Sequence, residues 1–287
     1  MASRVDPLDT MPVSRYGPAV RWTLRLVFWT LIVFLYLPIL FMIVFSFDEG
    51  ATPGLPVTGF TLHWYEAMVN NRVLIRAVTN SIVVAVIVSI LATIIGTMAA
   101  FVLVRARIRF PNATRIAFTL PIMVPGVLIG VSLLIYFARV LDVSLSLATV
   151  IAGHLVVTVP FVVLIVASRL QSFDRYLEWA AADLGASPRQ TIRHIVLPLI
   201  APAIIAGALI SVTLSIDEFV ITWFTVGSQP TLPTFIYTRV KFGVTPEVNA
   251  VATVMLVVTL GTLGLAAVAM GRARRVTGRI RRRRQVH

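Results

Sequence analysis

Six long apolar runs dominate this chain, at residues 26–47, 80–104, 116–137, 147–167, 199–224 and 248–270. Acidic side chains enter only the fifth, as Asp217 and Glu218, and the fourth holds a single histidine, His154. About 20 apolar residues, at about 1.5 Å rise per residue, cross the hydrocarbon core of a bilayer. Each run is long enough to do so, and the expected fold class is an all-α polytopic membrane protein with six transmembrane helices. Composition agrees: 58% of the residues are hydrophobic and only 13% are charged. A soluble domain is about 45–50% apolar and about 25% charged. A water-soluble globule and a disordered chain are both excluded.

The basic residues orient the array. Arg4, Arg15, Arg21 and Arg25 precede the first run. Arg105, Arg107, Arg109 and Arg115 lie between the second and third, and Arg169, Arg175, Arg189 and Arg193 between the fourth and fifth. Eight more arginines follow the sixth run. The alternate loops hold only Arg72, Arg76, Arg139, Arg239 and Lys241. So uneven a split places the arginine-rich loops and both termini in the cytoplasm. The expected organisation is a cytoplasmic segment at 1–25, a transmembrane domain at 26–270 and a basic cytoplasmic tail at 271–287. The net charge of +13 thus has a membrane cause, and no nucleic-acid partner is implied. The first run is too long for a signal-peptide core and is followed by Asp48, Glu49 and Gly50 rather than a small-residue cleavage site, so a retained helix is expected. Phe60, Trp64, Tyr65 and Met68 fit one face of a short helix anchored at the outer interface.

The cytoplasmic loop 168–198 carries the strongest local signals. Ser172 is placed to cap a short helix with Asp174 in its first turn, and Gly185 to stop it. Ser187, Pro188 and Gln190 then supply a cap, a first-turn proline and a capping-box partner for a second helix, with Pro198 opening the fifth span. Leu177, Ala181 and Leu184 form a small apolar face. This hairpin, 172–198, suits either docking of another protein or lying on the membrane surface.

The string Trp179-Ala180-Ala181-Ala182-Asp183-Leu184-Gly185, then nine residues, then Ile195-Val196-Leu197-Pro198, resembles the EAA signature of ABC-importer permeases, E-A-A, three residues, G, nine residues, I-x-L-P. The family's glutamate position holds Trp179, with Glu178 one residue earlier. Further pieces resemble the spermidine/putrescine branch: Phe60-Thr61-Leu62-x-Trp64-Tyr65, Asn80-Ser81, Gly96-Thr97, Ala99-Ala100, Asp217-Glu218-Phe219-Val220-Ile221 and Thr231-Leu232-Pro233. The resemblance implies a type I permease fold in the bacterial inner membrane. It makes the hairpin the element that couples to a separate ATPase, through Glu178, Trp179, Ala180, Ala181, Asp183, Gly185, Ala186, Ser187, Pro188, Ile195, Leu197 and Pro198. The implied partners are a second, homologous permease subunit, two ATP-binding subunits and an extracytoplasmic solute-binding protein. The implied cargo is a polyamine, with thiamine, ferric iron, an aminophosphonate or an opine as alternatives within the class.

The chain carries no ATPase of its own. A P-loop lysine must follow a glycine-rich turn, and the only lysine, Lys241, follows Val240. No cofactor is expected in this chain, ATP and Mg belonging to the partner subunit. There is no cysteine, no zinc spacing, and no H-E-x-x-H or G-x-S-x-G motif, so no enzyme activity is expected. A secondary transporter working without ATP would be favoured by inverted repeats or more ionisable groups at mid-membrane.

Ionisable groups inside a span usually face a cavity or a partner. Ser211, Ser215, Glu218 and Thr222 fall on one helical face, with Asp217 about 100° away. These five are the candidate lining of a translocation pathway. His154 shares a face with Thr158 and reads more readily as a packing residue than as a ligand. Pro121, Pro125, Gly126 and Pro160 permit kinks.

Overall fold

The computed structural model describes residues 17–50, 54, 56–106, 109–172, 174–243, 245–258 and 260–261. The sequence segments 1–16 and 262–287, which include most of the expected cytoplasmic N-terminus and the basic tail, lie outside the described residues. Two units are distinct, one combining residues 1–70 with 243–287 and one spanning 71–242.

In the first unit, α1 (Pro18–Phe45) begins at a proline in its first turn, where the missing N–H costs nothing. Its Trp22–Phe45 stretch is long and apolar enough to cross a membrane. Just beyond it the backbone of Asp48 pairs with Phe60 in an isolated antiparallel bridge. The Trp64 indole N–H donates to the Asp48 carbonyl at 2.7 Å, and the Tyr65 and Ser46 hydroxyls are 2.7 Å apart. Phe60 lies ahead of α2 (His63–Asn70) and stacks on Phe47 at 5.0 Å. The expected aromatic face is therefore divided: Phe60 reaches out from a bridge, while Trp64 and Tyr65 turn back to lock the loop. The same unit holds α12 (Pro246–Val258), the described part of the sixth apolar run.

The second unit is built on three helices. α3 (Arg72–Arg105) starts at Asn71, whose side chain accepts from the Val73 and Leu74 amides. α6 (Leu147–Gln171) starts in a capping box between Ser146 and Thr149. α9 (Leu197–Asp217) is the third. They meet around Ala92, Ala100, Val162, Val166, Leu170, Val196 and Ile200, all buried. Small residues set the spacing. A methyl added at Gly96 would stand 2.6 Å from the Val162 Cβ, and one at Gly207 3.2 Å from Val162 Cγ1. With little hydrophobic drive between helices in lipid, such close approach supplies the packing. Ser89 adds a cross-helix bond, its hydroxyl donating to the Ala208 carbonyl at 2.9 Å.

Two expected spans are not straight. The third splits into α4 (Pro111–Met123) and α5 (Gly126–Ile135), the latter prolonged by a π-turn at Tyr136–Val140, and the two arms bend by 96°. Pro125 forces the change: it lacks an N–H, and it holds Val124 extended at φ −79°, ψ 129°. The fifth span also departs from expectation at both ends. Its helix begins at Pro188 and runs 30 residues to Asp217, carrying a π-turn at Ile192–Val196. It stops at Glu218, which is extended at ψ 95°. α10 (Val220–Thr225) then resumes, and α11 (Leu232–Phe242) follows.

Candidate functional site

The hairpin forms, though not from the expected cap. Ser172 ends α6, its hydroxyl donating to the Arg169 carbonyl. The Asp174 carboxylate instead accepts the Tyr176 amide at 3.0 Å, and α7 (Tyr176–Asp183) follows. Gly185 turns the chain with φ +83°, a conformation without steric penalty only for glycine. Its amide and those of Leu184 and Ala186 close onto the last carbonyls of α7. Ser187 and Gln190 make the reciprocal capping box that opens α8 (Pro188–Thr191). Because α8 continues through the π-turn into α9, the second arm of the hairpin is continuous with the span. At about 1.5 Å per residue the Pro188–Asp217 helix is about 45 Å long, more than the ~30 Å hydrocarbon core needs.

The carboxylate of Glu178 forms an ion pair with Arg105 at the end of α3. It faces inward, while Trp179, 54% exposed, and Tyr176 meet edge-on at 5.1 Å on the outer side. Of the apolar face expected from the sequence, Leu184 is 89% exposed and Leu177 is open, but Ala181 is buried. The helix is short and its inward side must carry the small residue that lets α7 seat. Ala180, Asp183, Ser187, Pro188, Leu197 and Pro198 are exposed, and Ala186 and Ile195 partly so. Leu184, Gly185, Ala186, Gln190, Thr191, His194 and Ile195 surround an open concavity of about 320 Å³.

At the other end of α9 the polar stripe is present but is turned inward. Ser211, Ser215 and Thr222 are buried at 0%, 4% and 1% exposure. The Ser211 hydroxyl has no hydrogen-bond partner among the described residues. Ser215 and Thr222 both bond His154: Nδ1 lies 2.8 Å from Ser215 Oγ, and Nε2 lies 2.7 Å from Thr222 Oγ1. The sequence reading paired His154 only with Thr158, whose hydroxyl donates to the His154 carbonyl. Its true partners stand on other helices, and their only sequence signal is that polar groups in apolar spans need one another. Glu218 is partly buried, and its carboxylate accepts the Ile221 amide at 3.0 Å, capping α10. Asp217 is exposed, continuing the open face of α9 that carries Ile205, Leu209 and Thr213, and makes no ion pair among the described residues. Beside it Phe219, Trp223 and Tyr237 cluster with ring centroids 4.8–5.8 Å apart. Sequence reasoning missed this trio because Tyr237 arrives from α11.

Residues 92–282 match the family described as "Binding-protein-dependent transport system inner membrane component". The chain belongs to this family. It is a multi-pass inner-membrane permease component of a transport system, with the type I ABC permease fold, and not an enzyme. Among relatives, the spermidine/putrescine transport system permease protein PotC of Haemophilus influenzae is 39% identical over 233 residues, covering 81% of this chain and 90% of its own length. PotC of Escherichia coli K12 is 39% identical over 79% of this chain and 86% of its own. The putrescine transport system permease protein PotI of the same strain is 35% identical over 83% and 88%. Among solved structures, the inward-facing MetNI methionine ABC transporter matches with a TM-score of 0.60 at 20% identity, covering 72% of this chain and 98% of that one. A bacterial ABC transporter that imports alginate matches with a TM-score of 0.62 at 16% identity, covering 86% and 98%.

Proposed function

We propose that this permease forms half of the translocation pathway of an ATP-driven polyamine importer. The observation that carries the reading is the 39% identity, over 81% of the chain, with a spermidine/putrescine permease. The chemistry of α9 supports it. Ionisable groups in or near a span usually face a cavity or a partner, and the exposed face of α9 bearing Asp217 is open to either. A linear polycation moving past Asp217 and Glu218 meets charge of the opposite sign. Ser215 and Thr222 serve this path indirectly, by fixing through His154 the helices that present the two carboxylates.

A second homologous permease supplies the other half of the path, and two ATP-binding subunits hold ATP and Mg, one of them seating this hairpin. Exposed Trp179, Tyr176 and Leu184, with the concavity beside Gly185, Ala186 and Ile195, form the contact. Closure of the ATPase pair pushes this hairpin, and α9, continuous with its second arm, transmits the tilt along its length. An extracytoplasmic solute-binding protein delivers the cargo to the outer end.

Reconstitution of the chain with its permease partner, ATPase and binding protein in vesicles tests the proposal. ATP-dependent spermidine or putrescine uptake is expected, reduced at limiting cargo by Glu218→Gln. ATP hydrolysis that answers a different solute and ignores polyamines refutes the cargo. Unchanged uptake in Glu218→Gln refutes the role of that carboxylate.

A further inference from the structure

The break between α9 and α10 is held by a hydrogen-bonded clasp whose centre, His154, lies on neither helix. Ser215 sits in the last turn of α9 and Thr222 in the first turn of α10. His154 reaches both from α6. The proton positions follow from the inventory of donors. The single hydrogen of Thr222 Oγ1 goes to the Glu218 carbonyl at 2.5 Å, so this hydroxyl accepts from His154 Nε2–H. Nδ1 is then left to accept from Ser215 Oγ–H. A directed chain results, from Ser215 through His154 and Thr222 to the backbone of Glu218, the residue at which the helix opens. The carboxylate of that same Glu218 caps α10 through the Ile221 amide.

Three observations make this a joint rather than incidental packing. The clasp is buried: Ser215, His154 and Thr222 are 4%, 2% and 1% exposed, and the small space beside it, between His154, Val157, Thr158, Leu214 and Glu218, has no room for a water molecule. The three side chains therefore depend on these bonds within the protein. α10 is seated on glycines, since a methyl at Gly130 would stand 2.6 Å from the Phe224 ring and one at Gly153 2.7 Å from Ile221 Cγ2. It rests on a smooth socket with the clasp supplying the directional bonds. Finally, the joint lies between the hairpin-bearing helix and the aromatic trio near the outer end.

We propose that His154 is a positioning residue for transport: by tying Ser215 to Thr222 across the Glu218–Phe219 break, it sets where Asp217 and Glu218 stand and lets movement of α9 reach α10 and α11. This rests on the ATP-driven import proposed above. The test uses the assembled transporter in vesicles and reads the ratio of binding-protein-stimulated to basal ATP hydrolysis together with cargo moved per ATP. His154→Leu is expected to lower both by about tenfold, the scale of a hydrogen bond removed with its partner left buried. His154→Gln, whose amide donates and accepts, is expected to recover several-fold, and Thr222→Val to resemble His154→Leu. Should His154→Leu fail to assemble, Ser215→Ala and Thr222→Val decide. Wild-type coupling in both overturns the proposal, as does a His154→Gln no better than His154→Leu. A wild-type complex that shows no stimulated hydrolysis at all indicts the import reading instead, so the two failures are distinguishable.

Discussion

Replacing Glu178 by alanine removes the carboxylate that Arg105 holds at the root of the hairpin. The two side chains are 18% and 23% exposed, so the pair is largely shielded from water. A charge-assisted hydrogen bond broken from one side, with the other charge left partly desolvated, costs about 2 kcal/mol. That corresponds to about 30-fold in the equilibrium between a seated and a released α7. Ala181 is the only buried side chain of α7 and contributes little to hold it in place. Hydrogen exchange of the α7 amides, followed by mass spectrometry in the assembled transporter, reads that equilibrium directly. Exchange is expected to rise about 30-fold in Glu178→Ala, and to fall back in the charge-exchanged pair Arg105→Glu with Glu178→Arg. Wild-type exchange in Glu178→Ala, or an exchanged pair worse than either single variant, refutes the view that this acid anchors the hairpin.

Other outcomes follow from the same geometry. Gly96→Ala drives a methyl to 2.6 Å from Val162 and should destabilise the transporter by about 1–3 kcal/mol, measured as its thermal inactivation in detergent, with Val162→Ala restoring part of the loss; equal stability of Gly96→Ala and wild type sinks the packing account. The Asp48 carboxyl is held below its ordinary value of 3.8, first by the Thr58 hydroxyl and then by the Thr58 and Gly50 amides. Its contribution to the 46–65 loop is therefore present above pH 3.8 and is lost as pH falls through the lower, folded value. Protease resistance of the loop should drop below that range, and Asp48→Asn should weaken it already at neutral pH. Asp217→Asn removes an exposed carboxylate without a partner, so assembly should be untouched while uptake at limiting polyamine falls about tenfold, or ~1.4 kcal/mol; equal uptake would remove Asp217 from the path.

Much of the hairpin was legible because its signals are local. The Ser187–Gln190 box, Gly185 and Asp174 act within four residues of the bonds they make, and the sequence displays both partners at once. The apolar runs were legible for a related reason: lipid demands a whole helix of one character. What the sequence left open were assignments that needed a second helix. The stripe Ser211, Ser215, Glu218, Thr222 satisfied the 3.6-residue period, yet periodicity does not say which side faces a cavity. α6 took that side, and the helix broke in the middle of the pattern. The partner of Glu178 was hidden for the same reason, since Arg105 lies 73 residues away.

The amino-acid order alone determined that this protein lives in a bilayer and that a capped helical hairpin joins two of its apolar runs. These follow from transfer free energies and from backbone bonds closed inside one segment. Only the folded chain decided that Ser215, His154 and Thr222 form a clasp, that Trp179 rather than Glu178 is presented outward, and that Asp217 keeps an open face. Each of those depends on which surfaces of distant helices meet, and that choice is made by small residues such as Gly96, Gly130, Gly153 and Gly207 allowing close approach at particular points.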